Sequence, residues 1–163
     1  MPLYRTPMPS PVGELTLVAS DGGLVAVLWE NDDPRRVPLD GLVDGAGHPV
    51  LTQTEAQLGD YFAGRRTVFD LPLDFRGTDF QKSVWHALLT IPFGETRSYR
   101  EIAEAIGRPT ASRAVGAANG RNPVSIIAPC HRVIGSSGKL TGFAGGLEAK
   151  AFLLELEGPA LLL

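Results

Sequence analysis

The stretch from residue 98 to residue 120 reads SYREIAEAIGRPTASRAVGAANG, and its pattern predicts two short helices joined by a turn. Ser98 and Glu101 have the spacing of a capping box, in which each side chain bonds the backbone of the other residue at the start of a helix. Thr110 is positioned to cap the second helix, over residues 111–120. Two short helices and a tight turn are the outline of a helix-turn-helix, although many helical hairpins do not contact nucleic acid.

Small side chains fill the second helix, where Arg113 is the only long side chain between Ala111 and Ala118. Such a helix can bring its backbone close to a DNA duplex or close to another helix of the same protein, and its composition leaves both interpretations open. Residues 97–139 carry seven basic and two acidic side chains, whereas residues 1–77 carry six basic and 11 acidic ones. The local excess is typical of a surface that contacts phosphates, and also of an ordinary solvated surface.

The next segment, residues 122–134, reads NPVSIIAPCHRVI and holds the one cysteine of the chain. Its apolar middle, residues 124–128, is predicted to be extended, and the proline after it presents Cys130 in a turn. A buried cysteine is usually inert, but His131 and Arg132 follow here, and positive charge lowers the pKa of a thiol. Adjacent side chains often point apart, so we expect a bridging water between thiol and imidazole rather than direct contact.

The carboxy-terminal helix, predicted over residues 146–157, adds acidic groups. Glu155 and Glu157 lie near its end, where the helix dipole disfavours a carboxylate. Either glutamate can orient a histidine, and a solvated surface position is the alternative for each. The same helix has a predicted apolar stripe formed by Leu147, Ala151 and Leu154, with Phe152 and Leu153 beside it.

The other elements divide the chain into two parts. Residues 1–77 are predicted to form a small antiparallel sheet with one helix, and residues 78–163 a mostly helical lobe, which makes an α+β protein of two domains. The amino-terminal elements are strands over residues 13–19, 24–29 and 68–73, a loop over residues 31–49 and a helix from Thr52 or Thr54 to Phe62. The helical lobe begins with a helix capped by Thr78 or Asp79 and ended by residues 92–94.

Composition excludes several classes of protein. The chain has 163 residues, a mass of 17.4 kDa and a net charge of −3. One cysteine allows no internal disulfide and no zinc site that needs two thiolates. No apolar run approaches the ~20 residues of a membrane span, and the first ten residues lack the core of a signal peptide. We therefore expect a soluble cytoplasmic protein.

Several short motifs stand at specific spacings between residues 80 and 158. They are Arg113-Ala-Val-Gly116, Asn122-Pro123, Pro129-Cys-His-Arg-Val133, Ser136-Ser-Gly138 and Gly145-Gly-Leu147. Together they resemble the motifs of the O6-alkylguanine-DNA alkyltransferases, also called methylated-DNA–protein-cysteine methyltransferases. The amino-terminal region resembles the family in the order of its elements rather than in motifs.

The resemblance implies direct repair of alkylated DNA by a protein that acts once. The protein would bind duplex DNA from the minor-groove side through the helix-turn-helix, and would flip O6-alkylguanine, or O4-alkylthymine, out of the stack. It would then move the alkyl group to Cys130. The resemblance implies no metal or organic cofactor, and a chain that is monomeric when free and able to cluster cooperatively on DNA. Residues 1–77 would be a ribonuclease-H-like scaffold, and residues 78–163 the domain that holds the DNA-binding and active sites.

The resemblance also implies a role for individual residues. Cys130 would accept the alkyl group, His131 would act as its base through a water, and Glu157 would orient the imidazole. Tyr99 would donate a proton to the leaving guanine, and Asn122 would be a hinge between the second helix and the cysteine turn. The implied substrate-binding residues are Val133, through its carbonyl, Phe143, Ala144 and Lys150, which would fix the loop over the pocket. The implied DNA-binding residues are Arg113, which would fill the vacated stack, Thr110, Ser112, Ala114, Ala117 and Arg121.

The chain departs from the family pattern in the pocket loop. Phe143-Ala144 stands where many members have Tyr-Ser, which removes one hydroxyl donor near the guanine oxygen and puts the tolerance of bulky alkyl groups in doubt. The backbone N–H of Ala144 could still donate. Some members also bind zinc in the amino-terminal domain, and this chain lacks the cysteines for it.

Two other functions compete with alkyl transfer. A thiol hydrolase could use Cys130, His131 and Glu157, but it needs an oxyanion hole and repeated turnover. A DNA-binding module without chemistry, either a regulator or a damage sensor, would not need the cysteine. The small side chains of the second helix disfavour base-specific reading.

Overall fold

A four-stranded sheet, with nearly every position buried over residues 15–20 and 23–28, forms in the computed structural model, which describes residues 2–135 and 142–158. The strands are β1 (Leu3–Met8), β2 (Leu15–Ser20), β3 (Gly23–Leu28) and β4 (Leu42–Asp44), in the order β3-β2-β1-β4. The pair β2–β3 is antiparallel, as predicted, and β1, which was not predicted, pairs antiparallel with β2. β4 runs parallel to β1, so the sheet is mixed rather than antiparallel throughout.

Two of these strands, β1 and β4, have no counterpart among the predicted elements. β1 contains Pro7, which cannot donate to a ladder and is typical of edge positions. The structure accommodates it because β4 pairs only with residues 3–5 of β1, so that β1 has a neighbour on one side alone at Pro7. β4 lies within residues 31–49, which the Pro, Asp and Gly content predicted to be a loop; the loop prediction is wrong for these three residues.

The one helix of this unit, α1 (Pro49–Phe62), begins earlier than predicted. Its N-cap is His48, whose Nδ1 accepts from the Val50 amide at 3.2 Å, and the proline that follows occupies the first turn. Neither Thr52 nor Thr54 is the cap. Proline has the φ angle of a helix and lacks the N–H that a first turn leaves unbonded, so it starts the helix before either threonine is reached.

The third predicted strand, over residues 68–73, does not form. Only a single bridge joins Leu73 to Leu24 of β3. At Asp70 the backbone N–H and carbonyl both bond the side chain of Gln57 in α1, at 2.9 and 3.0 Å. The amide side chain therefore takes the place of a neighbouring strand.

The second unit is mostly helical, as predicted. Its elements are α2 (Asp79–Leu88), β5 (Arg97–Ser98), α3 (Tyr99–Ala105), α4 (Ser112–Gly120), a 3₁₀ turn (Cys130–Arg132), β6 (Val133–Ile134) and α5 (Leu147–Glu157). Thr78 caps α2 in a capping box with Gln81, and Ser98 caps α3 in the predicted box with Glu101. α2 ends at Leu88, before the predicted stop.

The turn between α3 and α4 is closed by backbone groups. The Ala111 amide bonds the Arg108 carbonyl at 2.9 Å, and Ala111 is the N-cap of α4 without a side-chain bond. Thr110 is therefore not a cap. The two helices pack against each other and against α2, and the Trp85 indole donates to the Ala118 carbonyl at 2.8 Å. The predicted helix-turn-helix outline is present.

The predicted α+β class is confirmed, because the four-stranded sheet and α1 lie in one unit and the helices α2 to α5 lie in the other. The contacts of the chain group into Met1–Arg76 and Gly77–Leu163. The division of labour between scaffold and active domain stays a prediction. Within residues 2–135 and 142–158, no helix has the length and apolar content to cross a bilayer.

Candidate active site and nucleic-acid interface

Cys130 opens the 3₁₀ turn and is buried, with 4% of its surface exposed. Its amide bonds the Ala128 carbonyl at 2.8 Å, and its carbonyl accepts from the Val133 amide. The backbone of the cysteine is therefore held on both sides. Such a turn keeps a thiol in a fixed place, which an attack along one direction requires.

Asn122 holds the segment that leads into this turn. Its Nδ2 donates to the Ala128 carbonyl at 2.7 Å and its Oδ1 accepts from the Val124 amide at 3.1 Å. Between these bonds the chain makes tight turns, and Ile126 has a φ of 74°, in the left-handed region that β-branched residues avoid. The extended conformation predicted for residues 124–128 is therefore wrong. A residue held in such a conformation costs about 1–3 kcal/mol, and the Asn122 bonds supply the constraint.

His131 and Glu157 form a buried pair. The imidazole Nε2 lies 2.7 Å from Glu157 Oε2, and both side chains have 1% exposure or less. Burial raises the pKa of the Glu157 carboxyl, but the hydrogen bonds from His131 and Arg132 outweigh it and hold the pKa at about 2. Burial lowers the pKa of His131, and its bond to Glu157 offsets only part of that effect.

These directions assign the tautomer of His131. An ionised Glu157 only accepts, so the neutral imidazole carries its proton on Nε2 and leaves a lone pair on Nδ1. Nδ1 is buried, and no residue in the described ranges bonds it. The ring thus presents a basic nitrogen on the side away from Glu157. Of the two candidate glutamates, Glu157 lies beside the histidine, whereas Glu155 is exposed.

The Arg132 guanidinium is bound to Glu157. The sequence instead predicted that its positive charge favours the thiolate of Cys130. Nε donates to Oε1 at 2.7 Å and Nη2 donates to Oε2 at 3.0 Å. Its third nitrogen, Nη1, donates to the Ile91 carbonyl at 2.6 Å. Arg132 has only 6% of its surface exposed, so it is not part of the basic surface that was predicted over residues 97–139.

Lys150 bonds the backbone next to the cysteine turn and lies near the Phe143 ring. Its Nζ donates to the Val133 carbonyl at 2.7 Å and lies 5.9 Å from the centre of the Phe143 ring. Burial lowers the pKa of Lys150, and attraction to a Cys130 thiolate raises it, so the two groups are close enough to stabilise each other's charge. Ala144 is exposed next to this ring. The residues Ser136-Ser-Gly138 of the family motif lie outside the described part of the chain.

The buried face of α5 also differs from the predicted apolar stripe. Leu147 and Phe152 keep 50% and 38% of their surfaces exposed. Lys150, Leu153 and Glu157 point inward instead, at helical spacing. Two charged residues on an inner face are rare, and here each has its partner in the cysteine turn.

Tyr99 lies near the cysteine turn because of the pairing of β5 with β6. β5 and β6 pair in parallel, with Arg97 opposite Val133, so the start of α3 lies beside the end of the cysteine turn. Tyr99 is the first residue of α3 and is half-buried. A Cβ added at Gly116 of α4 would lie 3.8 Å from the Tyr99 ring, which shows how closely the two helices approach.

One side of α4 packs inside the protein, and its other side is exposed. Val115, Ala118 and Asn119 are buried. Arg113, Ala114 and Ala117 are exposed on the opposite side. Of the other predicted DNA-binding residues, Thr110 and Arg121 are exposed and Ser112 is half-buried. The outer face of α4 therefore presents a narrow surface with one long cation near its amino end.

Two site residues escaped the sequence analysis. The forked pair of hydrogen bonds from Arg132 to Glu157 joins positions 25 residues apart, and no local sequence pattern predicts it. Asn119 is buried on α4, and its Nδ2 lies 3.5 Å from the Cys130 carbonyl. A polar residue on the inner side of an amphipathic helix was the available signal.

The buried His131–Glu157 pair makes the free energy of unfolding depend on pH in the acid range. The folded pKa of Glu157 is about 2 against 4.5 for an ordinary glutamate, so the unfolded chain binds a proton more readily between these values. Stability is therefore lost as the pH falls through that window, by about 3 kcal/mol at ~1.4 kcal/mol per unit. The lowered pKa of His131 acts in the same direction below 6.5. Urea unfolding between neutral and acid pH measures the slope.

The matched controls for this prediction lie on the same helix. Glu157→Gln is expected to lower stability at neutral pH and to flatten the acid slope, whereas the exposed Glu155→Gln keeps it. Equal slopes for the two variants would contradict the assignment of the acid dependence to the buried carboxylate.

Comparison with known proteins covers both units of the chain. Residues 79–159 match the model of the 6-O-methylguanine DNA methyltransferase, DNA binding domain, and residues 3–75 match that of its ribonuclease-like domain. A methylated-DNA–protein-cysteine methyltransferase of Mycobacterium bovis is 55% identical over 159 residues, which cover 94% of this chain and 91% of that one.

Solved structures agree with this result. The O6-methylguanine methyltransferase of Mycobacterium tuberculosis is similar with a TM-score of 0.83 and 51% identity, over 96% of this chain and 93% of that one. The protein of the same organism in complex with DNA is similar with a TM-score of 0.83 and 51% identity, over 98% and 94% of the two chains.

Proposed function

This chain belongs to the methylated-DNA–protein-cysteine methyltransferase family, and on that basis we propose that it repairs duplex DNA by moving the alkyl group of O6-alkylguanine onto Cys130. O4-alkylthymine, which carries the same kind of alkyl ether, is a second substrate. The observation that carries the proposal is the buried His131–Glu157 pair next to the one cysteine of the chain. DNA as the partner is supported by the matched DNA-binding domain and by the DNA complex of the Mycobacterium tuberculosis relative.

His131 activates the thiol as a base. Glu157 holds the proton on Nε2, so the Nδ1 lone pair takes the proton of Cys130 through one bridging water. Lys150 stabilises the thiolate that results. A thiolate is a far stronger nucleophile than a thiol, which is why the arrangement favours attack at carbon.

The transfer is a single displacement. The thiolate of Cys130 forms a bond to the alkyl carbon while the bond from that carbon to O6 breaks, and guanine leaves with the electron pair. Tyr99, at the start of α3, donates a proton to the leaving base, whose negative charge is thereby removed. The product is a thioether, which a base such as His131 cannot reverse, so each protein acts once.

The outer face of α4 binds the duplex. Ala114 and Ala117 let the helix backbone approach the minor groove closely, and recognition then depends on backbone and groove shape rather than base sequence. Arg113 enters the space that the flipped base leaves. Asn122 links this helix to the cysteine turn, since its side chain bonds the backbone on both sides of residue 126.

The pocket loop holds the flipped base. The Val133 carbonyl accepts from the exocyclic amine of guanine with the lone pair that Lys150 does not use. The Ala144 amide donates near O6 in place of the serine hydroxyl that many relatives have. Phe143, packed near Lys150, closes the side of the pocket.

Mass spectrometry of the intact protein tests the proposal directly. We expect one methylene group per chain after mixing with an equimolar duplex that contains one O6-methylguanine, and peptide analysis is expected to locate it on Cys130. The same duplex with unmodified guanine is the control and adds nothing. Tight binding without mass gain would indicate a damage sensor, and neither binding nor gain would favour a thiol hydrolase.

A further inference from the structure

We infer that Arg132 is a positioning residue that keeps His131 in its neutral, base form, and that it thereby sets the lower pH limit for reaction at Cys130. This inference deepens the proposed function, and its meaning for repair rests on that function. The argument starts from the geometry around Glu157, whose Oε2 receives both His131 Nε2 at 2.7 Å and Arg132 Nη2 at 3.0 Å.

The guanidinium is held in one orientation. It forms a fork with both oxygens of Glu157, and its remaining nitrogen reaches the Ile91 carbonyl at 2.6 Å. The ring of Phe93 lies 5.8 Å from its central carbon. Planar forks of this kind fix the direction of a carboxylate. Oε2 is therefore fixed toward the imidazole, and the imidazole presents Nδ1 to the opposite side.

The charges of the three groups explain the effect on the base. With His131 neutral, Glu157 and Arg132 sum to zero, and a proton on the imidazole creates a buried net positive charge. Without the guanidinium, the buried Glu157 would be uncompensated and the same proton would remove a net charge. In a buried setting that difference is large, so the loss of Arg132 would leave His131 protonated at neutral pH.

Of the other groups around His131, Lys150 also lowers its pKa, but Lys150 donates to the Val133 carbonyl, whereas Arg132 is bound to the same carboxylate as His131. From α5 the charged groups that face it are Glu157 and Lys150, and from its own turn they are Arg132 and the thiol of Cys130. The α2 helix also packs on the turn, with Trp85 and Leu88 on its buried side. The charged or titratable residues of α2, which are Asp79, Lys82 and His86, lie on its exposed or half-buried sides.

Charge and shape can be separated by substitution. Arg132→Met removes both, Arg132→Lys keeps the charge but loses the fork, and Arg132→Met combined with Glu157→Gln removes both opposite charges. The matched control is Arg36→Met, because Arg36 makes a similar fork with Asp32 in the other unit at 2.7 Å for both bonds. Every variant retains the single cysteine.

The measurement is the rate of Cys130 alkylation as a function of pH, by iodoacetamide and by O6-benzylguanine. For Arg132→Met we expect the midpoint of the acid limb to move upward by roughly one to three pH units. Arg36→Met is expected to keep the midpoint of the native protein, and Arg132→Lys to lower the rate at every pH with little movement of the midpoint. The double variant is expected to react more slowly, because Glu157 no longer orients the imidazole, but to show no upward movement of the midpoint, because no uncompensated carboxylate remains.

A purely structural role for Arg132 predicts a different result. It lowers the rate of Arg132→Met by the same factor at all pH values, and that outcome would overturn the inference. Nitrogen NMR of the native protein provides a test that does not depend on the folding of Arg132→Met, with His48→Gln and His86→Gln used for assignment. We expect His131 to be neutral at neutral pH and protonated on Nε2, because burial lowers its pKa and Glu157 accepts from Nε2. A cationic His131 at neutral pH would refute the inference.

The two readouts also separate this inference from the proposed function. Iodoacetamide and NMR require neither DNA nor an alkylated base. If the protein takes no methyl group from DNA while the acid limb moves as expected, the proposed function fails and the role of Arg132 stands. If methyl transfer from DNA occurs while the midpoint of the acid limb stays in place, the proposed function stands and the role of Arg132 is refuted.

Discussion

Replacement of Cys130 by serine abolishes alkyl uptake in our expectation, and leaves affinity for lesion-containing duplex within a few-fold of the native value. A serine hydroxyl is a much weaker acid than a thiol, and a neutral histidine cannot generate enough alkoxide to attack an unactivated alkyl carbon. The substitution changes one atom in a residue with 4% exposure, so the cysteine turn and the exposed face of α4 keep their shapes. Mass spectrometry measures uptake, and fluorescence anisotropy measures affinity for the duplex.

Cys130→Ala is the matched control for this experiment, because it removes the hydroxyl as well. Both variants are expected to bind the duplex and to gain no mass. Since the chain contains no other cysteine, methyl transfer in Cys130→Ser would refute the assignment of Cys130 as acceptor. Repeated turnover by the native protein would instead identify a hydrolase, because a protein whose cysteine has become a stable thioether cannot react again.

The parts of the fold that the sequence predicted correctly are those with local causes. The capping box of Ser98 and Glu101 is formed by residues three apart, and it appears as expected at the start of α3. The same is true of Thr78 at the start of α2. Such signals require no information about the rest of the chain, and the helix-turn-helix outline could therefore be predicted.

The errors in the strands have causes that lie far away in the sequence. Whether Pro7 is tolerated in β1 depends on where β4 ends, about 40 residues later. Residues 68–73 look extended, but Gln57 satisfies the backbone of Asp70 and no strand is needed. Long-range pairing is decided by packing, which a local pattern does not contain.

The contacts of the candidate active site could also be predicted from the sequence only in part. The sequence placed a cysteine and a histidine side by side. The pattern of residues left Glu155 and Glu157 equal as partners, and only the family resemblance pointed to Glu157. The structure separates them because Glu157 lies seven residues after Lys150 on the buried face of α5, while Glu155 is exposed. The charge of Arg132 was read as acting on the neighbouring thiol, whereas its fork to Glu157 makes it act on the base.

Arg113→Ala is expected to slow repair of O6-methylguanine in duplex DNA by roughly ten-fold to a hundred-fold, because removing a base from the stack costs a few kcal/mol that a side chain filling the gap offsets in part. Reaction with free O6-benzylguanine is expected to stay within about two-fold of the native rate, since the free base is not stacked. Arg113 is exposed on the second residue of α4, so its truncation leaves the buried residues of that helix in place. Single-turnover kinetics on the two substrates give the ratio.

Two control variants decide what Arg113 contributes. Arg65→Ala removes one exposed cation from the other unit, where the guanidinium pairs with Asp60 at 3.2 Å, and it is expected to leave both rates unchanged. Arg113→Lys keeps the charge and loses the planar group. If Arg113 only attracted phosphate, the lysine variant would recover the duplex rate, because phosphate attraction depends on charge. If it fills the stack, the lysine variant remains slow on duplex and normal on the free base, because a thin ammonium chain covers the neighbouring bases poorly. Equal losses on duplex and free base in Arg113→Ala would refute any role in flipping, since an effect that appears without a stack cannot arise from filling one.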